Sequence, residues 1–130
     1  MALGALADYA RREGRTQEAV SMLVECIRIE RDFGDLAWTA NNLGRLAYTF
    51  GLAGQVETAA RVLSSADALH EQIGLKWPLW ATEMNDETRI AIRAQLDDAS
   101  FADESEQGRA LSVDEAVALA FASGDSGSGK

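Results

Sequence analysis

The chain has 130 residues, of which 12 are Lys or Arg and 21 are Asp or Glu, so its formal net charge is −9. An acidic charge of this size disfavours electrostatic binding to nucleic acids and to anionic membranes. The single proline and the hydrophobic fraction of 47% predict a folded protein of close-packed helices. The one cysteine excludes an intramolecular disulfide framework and a multi-cysteine zinc site. We therefore expect an all-α protein of the cytoplasm.

An internal repeat organises the segment 1–74. Shifting the sequence by 40 positions aligns eight identical pairs, and three of these pairs are glycines. Gly14 and Gly54 separate the two helices of each unit, because glycine accepts the left-handed backbone conformation that ends a helix. Gly34 then separates the two units. Apolar residues spaced three and four apart predict helices over 2–13, 16–33, 36–52 and 55–73.

Residues 75–123 depart from the repeat and predict a helical C-terminal cap. Pro78 suits the first turn of a fifth helix, which we expect to run over 79–96. A short sixth helix over 99–107 follows, and Gly108 is predicted to end it.

The spacing of Ser112 and Glu115 is that of a capping box, which predicts the start of a last helix over 113–122. After it, residues 124–130 have the composition of a flexible linker. The sequence therefore divides into two helix pairs (1–74), a helical cap (75–123) and a flexible tail (124–130).

Both units resemble the tetratricopeptide repeat, which has Leu-Gly in its first helix and small-x3-large-x2-small in its second. The tetratricopeptide period is about 34 residues, whereas the period of this chain is longer, at about 40 residues. The longer period looks like that of the helical arrays in large bacterial signalling ATPases and in LuxR-type transcriptional regulators related to the maltose activator. The matching residues are Leu43-Gly44 with Ala59, Leu63 and Ala66, and Leu3-Gly4 with Ala19, Leu23 and Cys26.

The C-terminal segment adds to this resemblance, since residues 107–112 and 115–117 look like the closing stretch of those proteins. The resemblance implies a short α-solenoid of tetratricopeptide-like hairpins, with no cofactor and no catalytic activity. It implies a protein-interaction or sensor module that binds a protein, a peptide or the attached domains of a larger parent. Because those parents carry further domains, we expect the chain to be a fragment.

One side of the third helix carries aromatic and polar residues about 80–160° from the core direction. In tetratricopeptide arrays this side lines the concave groove, and such a mixture of residues is typical of protein interfaces. The alternative is that Trp38 and Tyr48 only pack against the neighbouring helix pair. The predicted partner-binding residues are Trp38, Asn41, Arg45 and Tyr48, with Asp8 and Arg12 at corresponding places on the first helix.

The tail offers a different function, because Gly124, Gly129 and Lys130 have the spacing of a phosphate-binding loop. That loop also needs a Ser or Thr after the lysine and a following helix, and neither is present. A nucleotide-hydrolysing fragment is therefore the first alternative to the interaction module. A purely structural spacer without any ligand is the second.

The remaining chemistry-bearing residues are predicted to be structural. His70 aligns with Glu30 of the first unit, which predicts a solvated helix face for both, and Cys26 occupies a small buried packing position. The acidic clusters at 83–87 and 97–106 are predicted to be solvated surface. We therefore predict no catalytic, cofactor-binding or metal-binding residue.

The start of the sequence inside a helix predicts an uncovered apolar end. An earlier repeat would cover this end, so we expect the chain to form a homodimer through it. The residues concerned are Leu3, Leu6, Ala7 and Ala10.

Overall fold

The computed structural model describes residues 2–74 and 76–128, with side chains described for 4–74 and 76–122. These residues form seven helices and no strand, which confirms the all-α prediction. None of the helices in this part of the chain is both long and apolar enough to cross a membrane. The helices are α1 (Ala2–Arg12), α2 (Thr16–Asp32), α3 (Leu36–Leu52), α4 (Val56–Ile73), α5 (Leu79–Gln95), α6 (Asp98–Arg109) and α7 (Val113–Ser128).

Glycines end the first four helices at regular intervals. Gly34 and Gly74, for example, have φ angles of 76° and 72°, a left-handed conformation that side chains other than glycine adopt only with strain. The backbone N–H of each of these two glycines donates to a carbonyl oxygen in the last turn of the preceding helix, Arg31 for Gly34 and His70 for Gly74. The predicted bounds of α1 to α4 agree with the structure to within one residue at either end.

The C-terminal helices begin as predicted. Glu115 N donates to Ser112 Oγ at 3.1 Å, and Ser112 N donates to Glu115 Oε1 at 2.9 Å, so the capping box at the start of α7 is confirmed. Pro78 directly precedes α5. The sixth helix ends at Arg109, one residue after the predicted end at Gly108. Gly108 lies inside α6, where a Cβ atom would come within 2.3 Å of the backbone oxygen of Arg61 in α4.

The last helix is longer than its composition indicates. Its backbone stays helical to Ser128, whereas we expected a flexible tail from residue 124. A phosphate-binding loop is irregular backbone before a helix, so residues 124–128 do not have that form. Gly129 and Lys130 of the predicted loop lie outside the described residues.

The helices enclose one hydrophobic core. Successive helices from α1 to α4 pack against each other, α5 packs on α3 and α4, α6 packs on α4, and α7 lies across α2 and α4. The predicted cap thus covers the flanks of the helix pairs and shares their core. The cap contributes three fully buried apolar residues to the core: Ile92 of α5 and Ala116 and Ala120 of α7. The large side chains at the centre of the core come from α2 and α3, and they are Leu23, Ile27, Leu43, Leu46 and Phe50.

Two charged or polar positions that were predicted to be solvated are buried. Glu30 is 4% exposed and His70 is 6% exposed, because each faces the helix or segment that follows its own unit. The carboxylate of Glu30 accepts a hydrogen bond from Asn42, and the ring of His70 stacks on Trp77 with centroids 4.0 Å apart. The predicted burial of Cys26 is confirmed.

Burial also differs from expectation at the N-terminal end and in an acidic cluster. Ala7 and Ala10 are buried because α2 packs against α1, whereas Leu6 is exposed as predicted. The side chain of Leu3 lies outside the described residues. The homodimer through this end stays a prediction. Glu104, predicted to be solvated, is buried and accepts a hydrogen bond from Arg61 Nε at 2.8 Å.

Candidate partner-binding surface

A chain of charged and aromatic contacts joins α1, α3 and α5, and we call it the polar seam. At its centre Arg45 of α3 places Nε 3.3 Å from Oδ2 of Asp8 in α1 and donates from Nη1 to Oδ1 of Asn42 at 2.8 Å. Arg11 lies on the other side of Asp8, with 3.6 Å between Nη2 and Oδ1. The side chain of Arg45 is only 10% exposed, so its charge is largely withdrawn from water.

Aromatic rings continue the polar seam toward α5. Trp38 of α3 stacks on Trp80 of α5 with centroids 6.2 Å apart, and the guanidinium carbon of Arg45 lies 4.2 Å from the Trp80 centroid. This distance is short enough for a cation–π attraction. The hydroxyl of Tyr48 donates to Oε2 of Glu87 in α5 at 2.8 Å, which fixes a second point between the two helices.

The structure brings together four of the six predicted partner-binding residues: Asp8, Trp38, Arg45 and Tyr48. Arg45 contacts both Asp8 and Trp38, and Trp38, Arg45 and Tyr48 each contact α5, which agrees with the alternative that the two aromatic residues pack against the neighbouring helix. Asn41 is buried in α3, and Arg12 is exposed on α1. A partner-binding role for the six residues stays a prediction. Their observed contacts give the polar seam a structural task, which is to hold three helices in register.

A buried polar branch extends from Arg45 into α2. Asn42, which is 0% exposed, donates from Nδ2 to Oε1 of Glu30 at 2.7 Å while its Oδ1 accepts from Arg45. The thiol of Cys26 lies 4.0 Å from Oε2 of Glu30. Burial raises the pKa of Glu30 above its ordinary value, even though the hydrogen bond from Asn42 opposes the shift. Burial and the nearby Glu30 also raise the pKa of the Cys26 thiol.

An open pocket of about 360 Å³ lies beside this branch, where α2 ends and α3 begins. We call it the Phe33 pocket, since the ring of Phe33 stands 86% exposed at its edge. Leu36, at the start of α3, is a further exposed apolar residue on the same turn. Contiguous exposed apolar surface of this kind is typical of binding sites. The pocket is lined by Ile29, Glu30, Phe33, Asp35 and Trp38.

The charges around the Phe33 pocket are mostly negative. Asp35 accepts a hydrogen bond from N of Trp38 at 3.2 Å, which caps α3 and keeps the carboxylate at the pocket. Arg31, the nearest base in the sequence, is paired with Asp32 and with Asp114 of α7. Within the described residues, no basic nitrogen lies within 4.0 Å of the carboxylates of Glu30 or Asp35. The pocket therefore combines aromatic walls with two acids that are hydrogen-bonded but not ion-paired within the described residues.

The sequence contained one signal for this pocket that our predictions did not use. Phe33 immediately precedes the turn glycine Gly34 and directly follows the last residue of α2. A large aromatic residue at such a helix end stays exposed unless a neighbouring segment covers it.

A larger cleft of about 640 Å³ separates α4 from the connection between α6 and α7. Its charged rim is satisfied within the chain, since Arg109 donates to both carboxylate oxygens of Glu71 at 2.7 and 3.2 Å. In the part of the chain that the structure describes, no three His, Cys, Asp or Glu side chains are grouped so that they could hold a metal ion. The Phe33 pocket is therefore the better candidate for a binding site.

The raised pKa of Glu30 predicts a pH-dependent stability. Between the ordinary pKa and the raised one, Glu30 binds its proton more tightly in the folded chain than in the unfolded chain. Its contribution to the free energy of unfolding is thus largest at acidic pH and is lost as the pH rises through the folded-state pKa. Glu30→Gln keeps the acceptor for Asn42 but cannot titrate, so we expect it to lose this pH dependence. Its free energy of unfolding should therefore rise relative to that of the unmutated chain as the pH rises.

Urea denaturation of both proteins from pH 4 to pH 8 measures this difference. The pKa of Asp67 is also raised by burial, but this group is present in both proteins and cancels in the comparison. Parallel stability curves for the two proteins would contradict the assignment to Glu30.

Comparison of the chain with known protein families, with characterised proteins and with solved structures finds no match in any of the three.

Proposed function

We propose that this chain is a noncatalytic protein-interaction module that binds a segment of a partner at the Phe33 pocket. The observation that carries the proposal is the exposure of Phe33 beside an apolar pocket that no described helix covers. Leaving a phenylalanine 86% exposed forgoes most of the roughly 1.5–3 kcal/mol that its burial would contribute. A partner that covers this ring recovers that free energy.

The polar seam supports this role because it holds one wall of the pocket in place. Trp38 stacks on Trp80, the guanidinium carbon of Arg45 lies 6.0 Å from its ring centroid, and its backbone N–H donates to the Asp35 cap. A side chain that is already ordered loses little entropy on binding, whereas a mobile one loses about 0.5–1.5 kcal/mol. The pocket is thus preorganised on its Trp38 side.

We further propose that the helix pairs form a short α-solenoid of tetratricopeptide-like hairpins. A contact that recurs at equivalent positions of successive units supports this: a Cβ at Gly4 would lie 2.4 Å from Arg45 Nη1, and one at Gly44 would lie 3.0 Å from Asn85 Oδ1. Arg45 and Asn85 are separated by the same offset as Gly4 and Gly44. The first helix of each unit therefore approaches the next unit closely at an equivalent glycine, as expected of stacked repeats.

The setting of the module is proposed from the sequence resemblance alone. The Leu-Gly and Ala-x3-Leu-x2-Ala patterns support a role as the sensor segment of a cytoplasmic bacterial signalling ATPase or transcriptional regulator, in which partner binding alters attached domains. A noncatalytic role is supported by His70, the only histidine, whose ring is stacked and buried against Trp77.

Selection from a phage-displayed library of random heptapeptides tests the binding role. We expect peptides that bind the unmutated chain and lose at least about tenfold in affinity, roughly 1.4 kcal/mol, on Phe33→Ser. Ile90→Ser is the matched control, since Ile90 is 70% exposed on α5 and lies outside the pocket. Circular dichroism should show equal helicity for both variants, because neither side chain is buried.

Two outcomes would overturn the proposed function. The first is a set of peptides that bind the unmutated chain and Phe33→Ser equally well, which would move the binding surface elsewhere. The second is a selection without any enriched peptide, which would favour the structural spacer.

A further inference from the structure

Among the described residues, the Phe33 pocket is lined by two acidic residues and by no basic one, and this feature indicates what the partner brings. Glu30 forms part of the pocket wall and is itself more than nine-tenths buried, while Asp35 stands exposed at the start of α3. Arg31, which lies next to Glu30 in the sequence, is divided between Asp32 and Asp114. The chain as a whole carries a net charge of −9, so it attracts basic partners over a longer range as well.

The walls of the pocket suit the rest of a basic side chain. Lysine and arginine carry an apolar stem of three or four carbons behind the charged group, and such stems pack readily on aromatic and aliphatic surfaces. Here Ile29, Phe33 and Trp38 provide that surface. A volume of about 360 Å³ admits one such side chain together with part of its backbone.

The chain itself already uses the face of a tryptophan to bind a guanidinium. Arg45 lies 4.2 Å from the Trp80 centroid and 6.0 Å from that of Trp38, within the range of cation–π attraction. A second cation at the pocket side of Trp38 would meet the same ring chemistry, in a pocket that Glu30 and Asp35 also line.

We propose that the Phe33 pocket accepts a lysine or arginine side chain from a basic segment of a partner protein, with its stem against Phe33 and Trp38 and its charge toward Asp35 and Glu30. This inference rests on the proposed function and specifies its ligand. The acids select the charge of the partner, while the exposed phenylalanine contributes most of the apolar contact area.

The composition of the peptides selected from the heptapeptide library is the first test. We expect enrichment of lysine or arginine flanked by apolar residues. Replacing the enriched basic residue by norleucine keeps the stem and removes the charge, and we expect this to lower affinity about tenfold, measured by isothermal titration calorimetry. Acidic or uncharged peptides that bind the unmutated chain but not Phe33→Ser would overturn the inference and leave the proposed function intact.

Neutralising the acids is the second test. Asp35→Asn keeps a good helix cap, and Glu30→Gln keeps the acceptor for Asn42, so both variants should fold. We expect each variant to lower the affinity for the basic peptide by about three- to tenfold and to leave the affinity for the norleucine peptide unchanged. Asp86→Asn, at an exposed acid on α5, is the matched control for a general change in charge. Equal losses with Asp86→Asn would show long-range attraction only and would overturn the pocket assignment.

Discussion

Gly108→Ala is expected to lower the free energy of unfolding by about 2–3 kcal/mol or more, the upper part of the range for overpacked helix contacts. A Cβ at this position would lie 2.3 Å from the backbone oxygen of Arg61 and 2.8 Å from its Cα. Backbone atoms inside α4 cannot rotate away as a side chain can, so α6 has to separate from α4. The ion pair between Arg61 and Glu104, on the same interface, would be strained at the same time.

Gly51→Ala is the matched control for this experiment. Gly51 is a buried helical glycine like Gly108, but a Cβ there would meet its nearest side-chain atom at 3.6 Å, an ordinary contact. Because alanine is favoured over glycine inside helices by up to about 1 kcal/mol, this variant should be as stable as the unmutated chain or more stable. Thermal and urea denaturation followed by circular dichroism measure both. Equal stability of the two variants would show that α6 does not pack on α4 as described.

Asn42→Leu is expected to cost about 3–5 kcal/mol of folding free energy, because the change removes the hydrogen-bond donor of the buried Glu30 carboxylate and one of the two polar partners of Arg45. Asn42 is fully buried, and its amide is a donor to Glu30 and an acceptor for Arg45. Leucine has a similar size, so loss of hydrogen bonding rather than of volume accounts for the effect. Urea denaturation, with tryptophan fluorescence as the signal, measures the loss.

A double variant separates this explanation from simple misfit. In Glu30→Met with Asn42→Leu, the buried carboxylate and its donor are removed together, so we expect part of the stability to return. Asn41→Leu is the control, because this neighbouring buried asparagine is not part of the polar branch and should cost clearly less. A double variant that is less stable than Asn42→Leu alone would contradict the role assigned to the pair.

The variants at Gly108 and Asn42 test contacts between helices, which the sequence did not predict, whereas the helices themselves were predicted. The positions of the helices followed from signals within a few residues of each other. Apolar spacing of three and four residues marked α1 to α4, Pro78 marked the start of α5, and Ser112 with Glu115 marked the start of α7. Such signals depend on hydrogen bonds inside one turn, which form in the same way wherever the helix is placed.

The faces that meet between helices were decided only by the tertiary structure. Gly108 has the local appearance of a helix end, yet it is needed as a contact point for Arg61, a residue far earlier in the chain. Glu30 has the local appearance of a solvated residue, yet α3 covers it and Asn42 satisfies it. Phe33 follows the last residue of α2, and it stays exposed because no described helix passes over it. Burial depends on which distant segment packs on a given face, and local periodicity carries no information about that segment.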